Sequence, residues 1–303
     1  MTGAILWCLL LLIPISCEAG SLRVLVVLSD NSQPYQSVAN TLGKNLPASI
    51  QTTVLEQPER VANQAPVDLI VSVGMKASLA AITHTDAPVL VTMVPKVGYD
   101  KLLAQTPDQR RAQETSAIYL DQPWARQLDF ILAALPGHRR IGLLYSPNAN
   151  FDTSSMKQQA SEHGTTLVAK QVSSPEEIFS SLNELLEKSD VLLALPDNTI
   201  YNSLNIRDIL LSSYRSGIPF IGLSQAYVTA GALGAIFSSH QQLSEQISAT
   251  IVSFEHTGKL PAPQYPHDFT IAVNPDVARS LDINLKASDV IRDQMDSTRK
   301  GIP

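Results

Sequence analysis

Arg23-Val-Leu-Val-Val-Leu-Ser29 is answered further along the chain by Arg140-Ile-Gly-Leu-Leu-Tyr-Ser146. Each is an apolar run of strand length. A continuous run, in place of an alternating one, marks a strand buried on both faces, as in a parallel sheet. A polar loop and a helical stretch follow each run. Next come an Asp and a second apolar run, Asp68-Leu-Ile-Val-Ser72 and Asp190-Val-Leu-Leu-Ala194. A Pro-led third run closes each block, Pro88-Val-Leu-Val-Thr92 and Pro219-Phe-Ile-Gly-Leu223. The order is kept and the spacings are similar. A strand–helix–strand unit written twice implies two similar α/β lobes, and a cleft between lobes is where small ligands bind.

The rest of the chain keeps the alternation. Gly74 stands at the tip of a strand over 69–73, with a helix starting near Ala77. Asp121-Gln-Pro-Trp124 reads as a helix start with Asp121 as its cap, and Leu128, Ile131, Leu132 and Leu135 mark the buried face. Ser174-Pro-Glu-Glu177 opens another helix, buried through Ile178, Leu182, Leu185 and Leu186. Leu243, Ile247, Ile251 and Phe254 form a helical stripe that stops at Gly258. Leu260-Pro-Ala-Pro263 is a linker, followed by a strand over 269–273 and a short helix over 275–281. The predicted fold is α/β, two doubly wound parallel-sheet lobes with right-handed crossovers. Such sheets bind ligands beyond the carboxyl ends of their strands, which points to loops 29–35, 74–78, 93–98, 146–152, 196–199 and 223–227.

The 303 residues leave room for two domains, and a net charge of −6 without a basic run argues against a nucleic-acid partner. Met1 to Ser16 is almost wholly apolar and ends near small residues, so 1–19 reads as a secretory signal peptide, although residues 2–22 hold no Lys or Arg. The apolar stretch is shorter than the roughly 20 residues that span a bilayer. Three fates stand open: cleavage after Ala19, acylation of Cys17 in a degenerate lipoprotein box, or an uncleaved anchor. Either of the first two places the body in the periplasm. Cys8 and Cys17 are the two cysteines, so the exported body has no internal disulfide and no thiol nucleophile.

Three stretches resemble one family. They are Val191-Leu-Leu-Ala-Leu-Pro-Asp-Asn-Thr199, Ile218-Pro-Phe-Ile-Gly-Leu-Ser-Gln-Ala-Tyr-Val-Thr-Ala-Gly-Ala-Leu233 and Ile271-Ala-Val-Asn-Pro-Asp-Val-Ala-Arg-Ser-Leu281. Together they look like the substrate-binding proteins of ABC transporters, in the branch that includes tryptophan- and tyrosine-type binders. The resemblance implies a type I periplasmic-binding fold joined by three crossings, here near Ala117–Asp121, Ser224–Tyr227 and Gln264–Thr270. Lobe 1 would hold 20–120 plus 226–263, and lobe 2 would hold 121–225 plus 264–303. It further implies a monomer that takes a small-molecule solute to an ABC permease in the inner membrane; a periplasmic sensing module for a receptor or kinase is the alternative. Members of the family often carry Ser-Asp-Glu-Gly before the second crossing. The aligned residues here are Leu223-Ser-Gln-Ala226, so an acidic pair has become a neutral polar one and the ligand's polar end is read differently.

Candidate ligand residues follow from the strand tips. Asp197, Asn198 and Thr199 form a clamp for a ligand amine and polar groups, or simply cap the helix that follows. Gly74, Met75 and Ser78 hold the equivalent place in lobe 1, where a Gly lets a ligand approach the backbone. Lys96 would neutralise an acidic ligand or stand as a solvated loop lysine. Tyr35 would cover the cleft or pack under a helix. Ser224, Gln225 and Tyr227 would face the cleft from the hinge. No catalytic residue is expected. Gly222-Leu-Ser-Gln-Ala226 resembles a loosened nucleophile elbow, but its last residue is Ala and no acid–histidine pair stands out beside His240, His256 or His267. Gly231-Ala-Leu-Gly234 lacks the third Gly of a dinucleotide loop. The six His are scattered, so neither a metal nor a cofactor is expected.

Overall fold

The computed structural model describes residues 21–106, 112–149 and 151–300. The expected signal segment and Cys17 lie outside the described residues.

The first sheet has the strand order β2-β1-β3-β4-β5, all parallel, from β1 (Leu22–Leu28), β2 (Ile50–Leu55), β3 (Leu69–Val73), β4 (Val89–Val94) and β5 (Thr115–Tyr119). The second sheet repeats that order with β7-β6-β8-β9-β10, from β6 (Arg140–Tyr145), β7 (Thr166–Gln171), β8 (Val191–Leu193), β9 (Phe220–Gly222) and β10 (Gly234–Phe237). A sixth strand, β11 (Thr270–Val273), joins β10 antiparallel. The duplication in the sequence is thus a duplicated sheet topology.

Burial on two faces explains the continuous apolar runs. In β1, Val24, Val26 and Leu28 pack with Leu42 of α1 (Gln33–Asn45) and with Leu243, Ile247, Ile251 and Phe254 of α9 (His240–Thr257). Leu25 and Val27 face the other way, toward Ala77 and Ala81 of α2 (Met75–His84) and Tyr99 and Leu102 of α3 (Lys96–Ala104). The second sheet is covered by α4 (Trp124–Ala134), α5 (Thr153–Glu162), α6 (Ile178–Leu186) and α7 (Ile206–Arg215), with α8 (Gln225–Ala230) and α10 (Pro275–Ser280) near β10 and β11. A C-terminal helix, α11 (Ser288–Lys300), buries Ile291 and Met295 in the same core.

Each lobe carries the same staple between its first and second core strands. The Arg23 amide and guanidinium meet the Asp68 carboxylate at 2.9 and 3.2 Å, and the Asp68 amide returns a bond to the Arg23 carbonyl. The Arg140 amide and guanidinium meet Asp190 at 2.9 and 2.6 Å, with the same return. In both pairs the guanidinium holds the carboxyl below the usual carboxylate range.

Several elements escape the sequence pattern. β2 and β7 are edge strands with exposed polar positions, so they lack an unbroken apolar run. α3 occupies part of the expected loop 93–98 and begins at Lys96. The second crossing also differs from its expected position near Ser224–Tyr227. β10 hydrogen-bonds to β9 and β11, which keeps residues 226–237 with the second sheet. The chain returns to the first lobe only at Ser238–Ser239, with α9. The third passage runs beside β5 before reaching β11: the Gln264 amide bonds the Ala117 carbonyl and the Gln264 carbonyl takes the Tyr119 amide, both at 2.9 Å.

Candidate ligand-binding cleft

A cavity of about 550 Å3 opens between the lobes, within the roughly 300–1,000 Å3 usual for small-molecule sites. The first lobe supplies Pro34, Met93 and Pro95. The second supplies Pro196, Leu223, Ser224, Gln225, Ala226, Ile236 and Phe237. The first two crossings supply Leu120, Asp121, Gln122, Ser238, Ser239 and His240, and Gln127 of α4 completes the wall. Met93 reaches the cavity through a backbone irregularity. The pairing of β4 with β5 slips between Thr92 and Val94, and Met93 adopts φ 56°, a conformation that costs a β-region residue energy and so concentrates at functional positions.

Asp121 is the charged group of the cavity wall. It does not cap α4, whose N-cap is Pro123. Its Oδ1 instead accepts the Lys96 amide at 2.7 Å, tying the first crossing to α3. Burial pushes the Asp121 carboxyl up to about 6, against the opposing pull of the Lys96 amide, its own amide and the Lys96 charge.

The crossings are tied to one another. Gln122 Nε2 donates to Ser238 Oγ at 2.9 Å, and Ser238 Oγ donates to the Asp268 carbonyl at 2.6 Å. Arg126 Nη1 donates to Gln122 Oε1 at 2.6 Å and to the Pro266 carbonyl at 2.8 Å. The rings of Tyr119 and Tyr265 meet edge-to-face with centroids 5.0 Å apart. All three passages therefore share one network at the base of the cavity.

Of the residues expected from the sequence, Ser224 and Gln225 line the cavity. Ser224 is the N-cap of α8, yet its hydroxyl makes no capping bond and is free to face the cleft. The others belong to their own lobes. Asp197 is buried, with Oδ2 accepting the Ser146 amide at 2.6 Å and Oδ1 the Thr199 amide at 3.0 Å, so it braces two loops. Asn198 and Thr199 are exposed beside it, and their carbonyls accept from Asn202. Tyr227 stacks on Phe220 at 6.2 Å and lies against Gly222, where a Cβ would sit 2.3 Å from the Tyr227 Cβ. Gly74 has φ 88°, and a Cβ there would fall 2.7 Å from both Ser29 Oγ and the Tyr35 ring. Its glycine serves internal packing, with Tyr35 laid over it. Burial pushes the Tyr35 hydroxyl above the usual phenol range. Ser78 is fully buried and donates to the Gly74 carbonyl at 2.7 Å. Met75 is 40% exposed on α2, outside the cavity wall. The Lys96 ammonium pairs with Asp100 one helical turn away at 2.5 Å.

The residues missed, Asp121, Gln122, Gln127 and 236–240, lie in or next to the crossings. The one signal for them was Asp121-Gln-Pro-Trp, whose polar start has a capping explanation as well. Among the described residues, no group of His, Cys, Asp and Glu could hold a metal ion, and no helix is long and apolar enough to cross a membrane.

Two duplicated α/β lobes, three passages and an interlobe cavity define a bilobal solute-binding architecture. The profile of the ABC transporter substrate binding protein family matches residues 38–293, and the chain belongs to that family. A tyrosine-binding protein of Clostridioides difficile strain R20291 is 23% identical over 235 residues, which cover 74% of this chain and 66% of the relative, just under two thirds of its length. The ligand-free, open structure of a substrate-binding protein with adhesive properties from Clostridium difficile superposes with a TM-score of 0.69 at 18% identity, over 88% of this chain and 97% of that one. A Streptococcus pneumonia ABC domain in complex with L-Trp gives 0.60 at 20% identity, over 89% and 98%. The fold is that of type I periplasmic-binding proteins.

Proposed function

We propose that this chain is an exported, monomeric solute-binding protein that captures a small organic molecule between its lobes and delivers it to an ABC permease in the inner membrane. The observation that carries this reading is the cavity itself, lined by both lobes and by the first two of the passages that join them. A ligand touching both walls binds the closed arrangement better and shifts the population toward it, and the permease reads the closed shape. The tyrosine-binding relative and the L-Trp complex support an amino acid or a close analogue as the solute. The leader directs export, with cleavage after Ala19, acylation of Cys17 or retention as an uncleaved anchor as its three outcomes.

Solution scattering of residues 20–303 tests the mechanism. A thermal-shift screen of amino acids, amines, nucleosides, acids and sugars first identifies a ligand, since a hundredfold excess over its Kd raises stability by about 2.7 kcal/mol. At saturation the radius of gyration falls. An unchanged radius at saturation rules out capture by closure.

A further inference from the structure

We infer that Asp121 anchors an ammonium group, so that the solute is an amine with an apolar body, and a carboxylate on that solute is dispensable for binding. The inference rests on the solute-binding reading above and specifies its ligand.

Three observations converge. First, among the described residues that line the cavity, Asp121 is the one carboxylate and none is Lys or Arg. An anionic solute would meet Asp121 without a compensating cation. Lys96, the nearest ammonium on α3, is held by Asp100 at 2.5 Å. Second, two of the amides at the start of α9, those of Ser239 and Gln242, are occupied by side chains of the same helix end. Ser239 Oγ accepts the Gln242 amide, and Gln242 Oε1 accepts the Ser239 amide at 2.8 Å, a closed capping box. Third, the lining that carries no hydrogen-bonding side chain includes Pro34, Met93, Pro95, Leu223, Ile236 and Phe237. That apolar side suits an alkyl or aromatic body.

An ionised carboxylate in such surroundings is costly until it gains a counter-charge, which the raised carboxyl pKa of about 6 reflects. A bound ammonium favours the ionised form, so affinity falls as pH drops below about 6. The titratable and charged groups around Asp121 are Lys96 and Asp100 of α3, Tyr119 of β5, Tyr265 in the third passage and His240 at the start of α9. Burial holds Tyr119 and Tyr265 well above neutral pH, so neither phenol ionises in this range.

The test is calorimetric titration at pH 7.5 and 5.0 with a fixed panel: L-tyrosine, L-tryptophan and L-leucine; tyramine, tryptamine and isoamylamine; the three N-acetyl amino acids; and D-ribose, myo-inositol and succinate. At least one free amine should bind, its decarboxylated or carboxylated counterpart should bind within about tenfold, and its N-acetyl form should lose about thirtyfold or more. Asp121→Asn keeps an acceptor for the Lys96 amide and should lose a similar factor while leaving the circular dichroism spectrum unchanged. The analogue series gives the answer even if that variant misfolds. N-acetyl forms that bind as tightly as the amines, undiminished amine binding by Asp121→Asn, or a panel in which no amine binds would each overturn the ammonium anchor. Closure around ribose or succinate would do so while leaving solute capture standing, whereas binding without closure would remove solute capture by closure instead.

Discussion

The two lobes solve the same junction with different chemistry. In the first, Ser29 at the end of β1 places its hydroxyl on the Ala77 amide at 3.0 Å, and Gly74 makes room for it and for Tyr35. In the second, Ser146 at the end of β6 gives its amide to the buried Asp197 carboxylate at 2.6 Å. One junction is closed by a hydroxyl over a glycine, the other by a carboxylate between two loops. The first junction engages Gly74 and the second Asp197, each within its own lobe. The cavity's polar groups come mainly from the crossings, together with Ser224, Gln225 and Gln127, and the crossings have no counterpart in the repeat.

The sharpest break in that comparison is Gly74→Ala. A side chain at φ 88° also collides with Ser29 and Tyr35, so the variant should lose about 3 kcal/mol in urea denaturation, while the folded fraction binds ligand with wild-type affinity. A matching loss of affinity would return Gly74 to the site. Asp121→Asn should act the other way on stability. The folded carboxyl titrates near 6, above the 3.8 of an ordinary Asp, so the folded state holds more protons between those values. Wild-type stability from this group is complete below about pH 4 and declines as pH rises to about 6. The Asn variant should therefore be more stable than wild type above pH 6, by about 3 kcal/mol, with the advantage vanishing near pH 4. Denaturant midpoints across pH 4–8 measure it; a pH-independent difference would remove the titration from the explanation.

Tyr227→Phe should cost at most about 0.5 kcal/mol and leave affinity unchanged, because its hydroxyl reaches the Tyr201 carbonyl only at 3.5 Å and the stack on Phe220 survives. The smallest effects belong to the paired staples. Asp68→Asn and Asp190→Asn should lower the thermal midpoint slightly and by similar amounts, and added salt should shrink both effects. A large difference between them would mean that the lobes differ in how much they rely on this strand pair.

The sequence made the lobes legible because buried parallel strands write themselves as unbroken apolar runs, and Arg23/Asp68 and Arg140/Asp190 repeated visibly. Edge strands such as Ile50–Leu55 and Thr166–Gln171 did not, since half their side chains meet water. The site was less legible for a related reason. Asp197 and Asp121 are both acids beside turns, and a carboxylate that caps or braces has the same sequence signature as one that faces a ligand. Only the three-dimensional neighbours separate them: backbone amides bond both carboxylates, but Asp197 is buried between two loops whereas Asp121 lines the cavity. The residues at 236–240 were hidden because β10, a four-residue strand opened by Gly234, carries the second crossing about a dozen residues past its expected place.

Amide hydrogen exchange with and without the tightest-binding amine of the panel tests most directly whether the crossings hold the ligand. Slowed exchange confined to 120–127, 224–226 and 236–240 is the expected result. Slowing at 74–78 and 197–199 with the crossings unchanged would contradict it and put the ligand back at the strand tips.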